Sequence, residues 1–415
     1  MTRCRPVNQL ASRLEGPIDV LHTRVMAGTG GGPEKTIVRS PRRLAGHGLT
    51  SAAAYIHPAD DTGVDAVGAL AQAQDCPLIG IGERGPLDPR TLAALASLCR
   101  TRRVRLWHGH DYKSNLIGLM LRRLWPMKLV NTVHLWTEET ARLKLYRKVD
   151  EWVLPKYDHT IAVSRALRRR CLEVGVPRRR LCHIANAIEA DLFTRKRNPR
   201  EARQALGLDP DAVWLGAVGR LSVQKGLDLF LPAMRPLFQA RPNLRLLLVG
   251  DGPEREPLRA QAASLGLAER VRFAGWQTDL RPWYEALDAL VMPSRREGLP
   301  NSGLEAMAYG VPLAATAVGG LGDLLDRGAA GVLLDDEPNA WPAQLRSLID
   351  DPGERQRLGV VGRRRIEARF SFEARMRRVA GVYDRLLGRA TPPGQHRRDA
   401  DAVGSVHGRS RRRAA

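Results

Sequence analysis

From residue 18 to about residue 387, short β-branched or apolar runs alternate with amphipathic stretches, a rhythm that parallel βαβ units accommodate. Parallel strands need crossovers of a dozen or more residues, and helices on both faces cover their apolar runs. Strands are expected at residues 18–25, 49–56, 78–81, 104–108, 129–134 and 160–163, with helices at 34–45, 91–99, 113–124, 138–153 and 166–174. Residues 191–211 are polar and charged, contain Pro199 and Pro210, and read as a linker. A second series has strands at 213–218, 244–249, 271–274, 289–292, 313–315 and 331–334, and ends in helices at 338–349, 353–368 and 372–387. With 415 residues the chain is long enough for two cores. The expected class is α/β: two doubly wound domains, at 1–190 and 213–371, joined by a linker at 191–212. Each sheet binds ligands at the carboxyl ends of its strands, so a cleft is expected between the domains.

Composition removes several classes. No run of 18 apolar residues occurs, which excludes a membrane-spanning helix, and residues 1–17 lack the apolar core of a secretory signal. Five scattered cysteines without a C-x-x-C pair speak against a disulfide framework or structural zinc, and point to the cytoplasm. The net charge of +22 invites a nucleic-acid reading, but only 8 of the 66 basic residues are lysine and aromatics are 5%. That arginine bias fits compositional drift on solvated surfaces, and no nucleic-acid motif stands near the basic runs. Residues 391–415, with six Arg against two Asp and no apolar periodicity, read as a basic disordered tail.

The strongest motif is ALVMPSRREGLPNSGLEAMAYGVPLAATAVGG, residues 289–320. It reads as strand, loop and a helix over 302–309, with Asn301 or Ser302 as cap and Gly310 with Pro312 as terminator. Glu297 then lies on the loop and Glu305 one turn inside the helix. The loop amides and the helix N-terminus supply donors and positive potential suited to a pyrophosphate. GAVGRLSVQKGLD, residues 216–228, ends a strand in Gly219 and follows it with Arg220 and Lys225, cations that can neutralise a diphosphate. The first domain opens with DVLHTRVMAGTGGGPEKTIV, in which Gly28, Gly30, Gly31 and Gly32 let amides approach a phosphate or sugar. Pro33 takes the last glycine position of the dinucleotide fingerprint, and no acidic residue ends the second strand, so a dehydrogenase is disfavoured. Asp209-Pro210-Asp211 reads as a turn rather than a metal site, and no other cluster has metal-ligand spacing.

Glu297-x7-Glu305 within EGLPNSGLEAMAYGVPLAAT resembles the E-x7-E signature of family 4 glycosyltransferases, which have the GT-B fold of two Rossmann-like domains. GAVGRLSVQKGLD, the intervening LLLVGDGPEREPLRAQAASLGLAERVRFAGW, the GGxE-type loop with Glu34, and the strand end NTVHLWTEE resemble further family segments. The resemblance spans roughly residues 18–387 and implies sugar transfer from a nucleotide-activated donor with retention at the anomeric carbon. It implies that Arg220 and Lys225 neutralise the donor diphosphate, that Glu297 binds the sugar hydroxyls, and that His134 reaches the sugar from the first domain. Donor binding would further involve Gly31, Gly32, Gly219, Gly275, Gly298, Leu299, Pro300, Asn301 and Glu305, with Glu305 on the ribose hydroxyls. His110, Asp111 and Lys113 of WHGHDYKSN fall near the cleft as structural or acceptor-side residues. The co-substrate would be UDP- or GDP-linked, with no other cofactor and no metal, and a leaving-phosphate oxygen would take the acceptor proton. The helix at 372–390 would cross back onto the first domain. Asn186-Ala187 and Leu321-Gly322-Asp323 depart from the family pattern and leave sugar and acceptor preference open.

The acceptor expected from the resemblance is a glycan or a lipid-linked molecule, as in polysaccharide or glycolipid synthesis. ARLKLYRKVDEW at 141–152, the arginines at 168–170 and 178–180, and the tail also fit an anionic membrane surface on the inner face of the cytoplasmic membrane. A buried helix explains 141–152 equally well. Two other readings stay open: a GT-B epimerase that converts a sugar nucleotide without an acceptor, and a non-catalytic basic protein that binds nucleic acid or membrane.

Overall fold

The computed structural model describes residues 16–390, apart from 27, 29–30, 87 and 137–140. In the first half, β1 (Val20–Val25), α1 (Gly32–Ala45), β2 (Ser51–Pro58), α2 (Val64–Ala73), β3 (Leu78–Glu83), α3 (Pro89–Thr101) and β4 (Leu106–Gly109) alternate. The series continues through α4 (Tyr112–Leu121), β5 (Lys128–Val133), α5 (Ala141–Val153), β6 (His159–Ala162), α6 (Arg165–Glu173), β7 (Leu181–His183) and α7 (Pro199–Ala205). The second half runs β8 (Val213–Val218), α8 (Leu227–Ala240), β9 (Leu244–Val249), α9 (Arg255–Ser264), β10 (Val271–Gly275), α10 (Arg281–Glu285), β11 (Ala289–Met292) and α11 (Asn301–Ala308). It closes with β12 (Leu313–Thr316), α12 (Leu321–Leu324), β13 (Val332–Leu334), α13 (Trp341–Asp350), α14 (Pro352–Arg369) and α15 (Phe372–Leu387).

The strand order is β3-β2-β1-β4-β5-β6-β7 in the first sheet and β10-β9-β8-β11-β12-β13 in the second, every paired ladder being parallel. The order reverses between β1 and β4, and again between β8 and β11. At such points the flanking loops diverge to opposite faces and leave a crevice.

Apolar side chains cover both faces of each sheet. Leu95 and Cys99 of α3 and Ile117 and Leu121 of α4 pack on one face of the first sheet, while Phe372, Met376, Val379 and Tyr383 of α15 pack against Val20, Leu106 and Val130. The final helix thus lies on the first sheet, and the chain reaches it by pairing Ile188 with Ser371. One apolar cluster joins Val133, Val163 and Leu167 of the first half to Leu299, Leu304 and Leu321 of the second. Each such side chain contributes about 1.5–3 kcal/mol when fully buried.

Three expectations need correction. Residues 191–211 are not simply a linker: Asn198 caps α7 reciprocally with Glu201, and Arg203 is buried with an ion pair to Asp288. The sequence reading omitted β7, a three-residue edge strand too short for period-2 alternation, and α2, whose Gly- and Ala-rich run lacks polar contrast. The helix after Pro300 begins at Asn301, and neither Asn301 nor Ser302 caps it. The expected helix at 138–153 is described from Ala141, and the expected tail at 391–415 lies outside the described residues.

Candidate functional site

The loops after β8 and β11 meet at the second reversal point. Gly219 follows β8 with φ +140°, and a Cβ there would approach the Lys225 side chain. Gly226 has φ +68°, and any Cβ on it would strike the Pro293 carbonyl at 1.9 Å. That close approach explains the glycine and sets the two loops side by side. Arg295 fastens them further, donating to the Val223 carbonyl and to both oxygens of Asp228, each bond at 2.6 Å.

Within this frame the Lys225 Nζ lies 2.7 Å from Glu297 Oε1, which also accepts a hydrogen bond from the Ser294 hydroxyl at 2.9 Å. Glu297 is buried; Arg220 is exposed at the rim, with no acidic partner among the described residues. Gly219, Arg220, Lys225, Met292 and Ser294 line a small pocket between the two loops. Gly298, Leu299 and Pro300 lead into α11, whose first-turn amides receive no side-chain cap. A helix start left this way offers N–H groups and a partial positive charge to an anion.

Glu305 is buried one turn into α11. Its Oε2 accepts from the Tyr284 hydroxyl at 2.9 Å, and its Oε1 lies 2.7 Å from Lys35 of α1. Burial, then the Glu305 charge, pushes the Tyr284 phenol far up, so that hydroxyl stays protonated and donates. Gly275 closes β10 with φ +69° and open space beside it, and its carbonyl accepts from Gly250 at the end of β9.

The first domain meets this site at several points. A Cβ on Gly298 would stand 1.8 Å from the His134 carbonyl oxygen. Asn301 donates to the Gly32 carbonyl at 2.7 Å, and Asn186 to that of Leu299 at 2.8 Å. Gly31 precedes α1, and its amide bonds Glu34 at 2.7 Å. Glu34 also pairs with Arg24, which makes it a brace of the glycine loop rather than an open binding group. Gly30 lies outside the described residues.

His134 follows β5, and its Nε2 lies 3.1 Å from His110 Nδ1. Burial holds both imidazoles well below their ordinary range, so both are neutral at pH 7. Asp111 caps α4 through the Lys113 and Ser114 amides, and Lys113 pairs with Glu83. Those two residues support the first reversal point. Asp209 and Asp211 form a surface turn, with Asp211 paired to Arg200, away from the cleft.

The structure therefore pairs Lys225 with Glu297, sets Glu305 and Asn301 against Lys35 and Gly32, and brings Gly298 against the His134 carbonyl; Gly219, Arg220 and Lys225 line one pocket, Asn301 and Glu305 a second, and Gly275 stands apart at the end of β10. Sequence reasoning missed Lys35, Tyr284 and Ser294, and took Asn186 only as part of a departure from the family pattern. Ser294 stood inside the motif; the other three face Glu305 or Leu299 only through tertiary contacts, a partnership with no local sequence signal.

Two family models match, one described as Glycosyltransferase Family 4 over residues 30–192 and one as Glycosyl transferases group 1 over 212–351. The chain is 31% identical over 68% of its length to a lipopolysaccharide core biosynthesis mannosyltransferase of Rhizobium meliloti, 80% of which is covered. It is 32% identical over 74% of its length to a D-inositol 3-phosphate glycosyltransferase of Thermobispora bispora, with 78% of that protein covered. Among solved structures, Anabaena HepE in complex with UDP-glucose superposes with a TM-score of 0.76 at 21% identity, covering 89% of this chain and 100% of that one. A sucrose-phosphate synthase from Thermosynechococcus elongatus gives 0.74 at 22%, covering 89% and 99%. At those identities the structural likeness speaks to the fold, which is GT-B.

Proposed function

The chain belongs to the family 4, group 1 glycosyltransferases and is a transferase, and from its cleft we propose a retaining enzyme that passes sugar from a nucleoside diphosphate to a glycan or lipid-linked acceptor without a metal ion. The observation that carries this reading is the convergence, between the ends of β8 and β11, of Lys225, buried Glu297 and the uncapped start of α11. Cations and amide donors there would oppose the charge that builds on the diphosphate as the bond from its β-phosphate oxygen to the anomeric carbon breaks. Glu297 would hold the sugar hydroxyls, Glu305 the ribose hydroxyls, and His134 the sugar from the other side. The acceptor oxygen would bond to the anomeric carbon from the face the phosphate leaves, its proton passing to that phosphate oxygen.

The donor base is UDP- or GDP-type in this reading, in keeping with a mannosyltransferase among the relatives and a UDP-glucose complex among the structural neighbours. No helix among the described residues is long and apolar enough to cross a membrane. Exposed Leu145, Lys148 and Trp152 share one face of α5, with Lys156 against the Trp152 ring. We assign that face to an anionic bilayer surface, which would bring a lipid-linked acceptor to the first domain at the inner face of the cytoplasmic membrane.

The test is a transfer reaction with UDP- and GDP-sugars and lipid-linked glycan acceptors, in chelator, with the first product read by proton NMR. A product of the donor's own anomeric configuration is expected. Inverted product, or a donor sugar epimerised without acceptor, would contradict the reading.

A further inference from the structure

Trp136 stands two residues beyond His134 and is anchored by helices of the first domain. Its indole Nε1–H donates to Asp150 Oδ2 of α5 at 2.8 Å, and Asp150 Oδ1 accepts from the Asn115 amide of α4 at 2.7 Å. Asn115 is itself fixed. It is buried, its backbone carbonyl accepts from the Tyr157 hydroxyl at 2.6 Å, and its side chain fills the space that a Cβ on Gly109 would need.

Asp150 is an expensive group to place there. It is buried, both of its donors are neutral, and no cation pairs with it among the described residues. Burial pushes its carboxyl up to about 6 against the pull of the two hydrogen bonds, so it is ionised at pH 7 and accepts through both oxygens. A leucine or an amide would avoid the cost of desolvating that charge. What the charge adds is a stronger grip, because a hydrogen bond to an ionised acceptor is about twice as strong as a neutral one.

The gripped segment borders the second domain. Trp136 packs against the apolar cluster that joins the two halves and contains Leu299. The His134 carbonyl stands so close to Gly298 that a Cβ there would lie 1.8 Å from it. Residues 134–136 are therefore held at one end by the 297–301 loop and at the other by α5.

We propose that Asp150 is a positioning residue: by holding the Trp136 indole it fixes residues 134–136 against the 297–301 loop, so that the His134 side chain meets the transferred sugar. This rests on the sugar-contact role proposed for His134 above.

The test measures hydrolysis of UDP-glucose or GDP-mannose, whichever the wild type turns over, by the full chain. Asp150→Leu should lower kcat about 10- to 100-fold, the usual result of a small misplacement, with affinity for free UDP or GDP within about twofold. Trp136→Phe keeps an aromatic ring but no N–H and should lose a similar factor, and the double variant should lose no more than either single one. Asp150→Asn should restore kcat to within about threefold: its oxygen accepts the indole N–H, and its nitrogen donates to Asn115 Oδ1, which has no partner among the described residues, once that amide flips. Exchange of the Trp136 indole hydrogen should be slow in the wild type and in Asp150→Asn, and fast in Asp150→Leu. Additive losses, full turnover in Trp136→Phe, a nucleotide affinity that falls with kcat, or fast exchange in the wild type would each overturn the proposal. If Asp150→Leu does not fold, Trp136→Phe and Asp150→Asn still decide. His134→Ala separates the two readings. Full turnover there would reject the sugar contact and this role with it, whereas lost turnover beside a fully active Trp136→Phe would reject the positioning role alone.

Discussion

At the residue scale the Lys225–Glu297 pair matters most, because each member places the other and both face the expected diphosphate. Lys225→Ala removes a cation from the leaving group and leaves Glu297 with Ser294 alone. A drop in kcat of about 10²–10³ is expected, as for loss of one preorganised donor to developing charge. Unfolding free energy should fall by only about 1–3 kcal/mol. Steady-state kinetics beside a denaturant melt separates the two effects; unchanged kcat would remove Lys225 from the mechanism. Gly298 makes a steric prediction. An added methyl would meet the His134 carbonyl at 1.8 Å, so Gly298→Ala must push the 297–301 loop off the first domain. Activity should collapse, with a stability loss of about 1–3 kcal/mol, the usual range for overpacking. Wild-type turnover in that variant would show that the close approach is dispensable.

At the element scale, α11 and α5 bear different predictions. The amphipathic stretch that reads ambiguously in sequence exposes Leu145 and Trp152, each 59% exposed, while Asp150 and Val153 turn inward. Leu145→Ser with Trp152→Ser should release the chain from anionic vesicles in a flotation assay, leaving donor hydrolysis unchanged. Equal flotation with neutral vesicles, or none for the wild type, would reject α5 as a bilayer contact. The alternation of elements was legible because parallel strands buried on both faces carry continuous apolar runs, and β8, β9, β11 and α15 fall at the expected residues. Residues 199–205 escaped because their helix is made by a cap and buried Arg203, and a buried arginine leaves no apolar period to read. The carboxylates and cations of the cleft stood out by motif. Lys35 and Tyr284 did not, since their bonds to Glu305 span 270 and 21 residues and leave no local motif.

At the scale of the whole molecule, the buried histidines make stability depend on acid. Burial lowers His22 to about 3 and His159 to about 4, and holds His108, His110 and His134 well below the usual 6.5. Their unfolded forms bind protons first as pH falls, so these groups favour the native state fully above about 6.5 and progressively less below it. Each imidazole contributes up to about 1.4 kcal/mol per pH unit in that window. The melting temperature should fall steeply from pH 6.5 to 5, and less steeply in His22→Leu; a flat profile would mean that these histidines are not buried and neutral. The cleft itself is held shut by contacts between the halves: Lys35 to Glu305, Asn301 to Gly32 and Asn186 to Leu299. In the proposed pose the ribose would compete with Lys35 for Glu305, which would tie donor binding to movement of α1.

The most direct measurement is thermal stabilisation of the wild type and of Glu305→Ala by UDP, GDP and ADP and their common sugars, with chelator present. Selective stabilisation of the wild type by one nucleoside diphosphate, lost in the variant, is the predicted result and identifies the base. A well-folded wild type that no nucleotide stabilises at millimolar concentration would contradict the donor site.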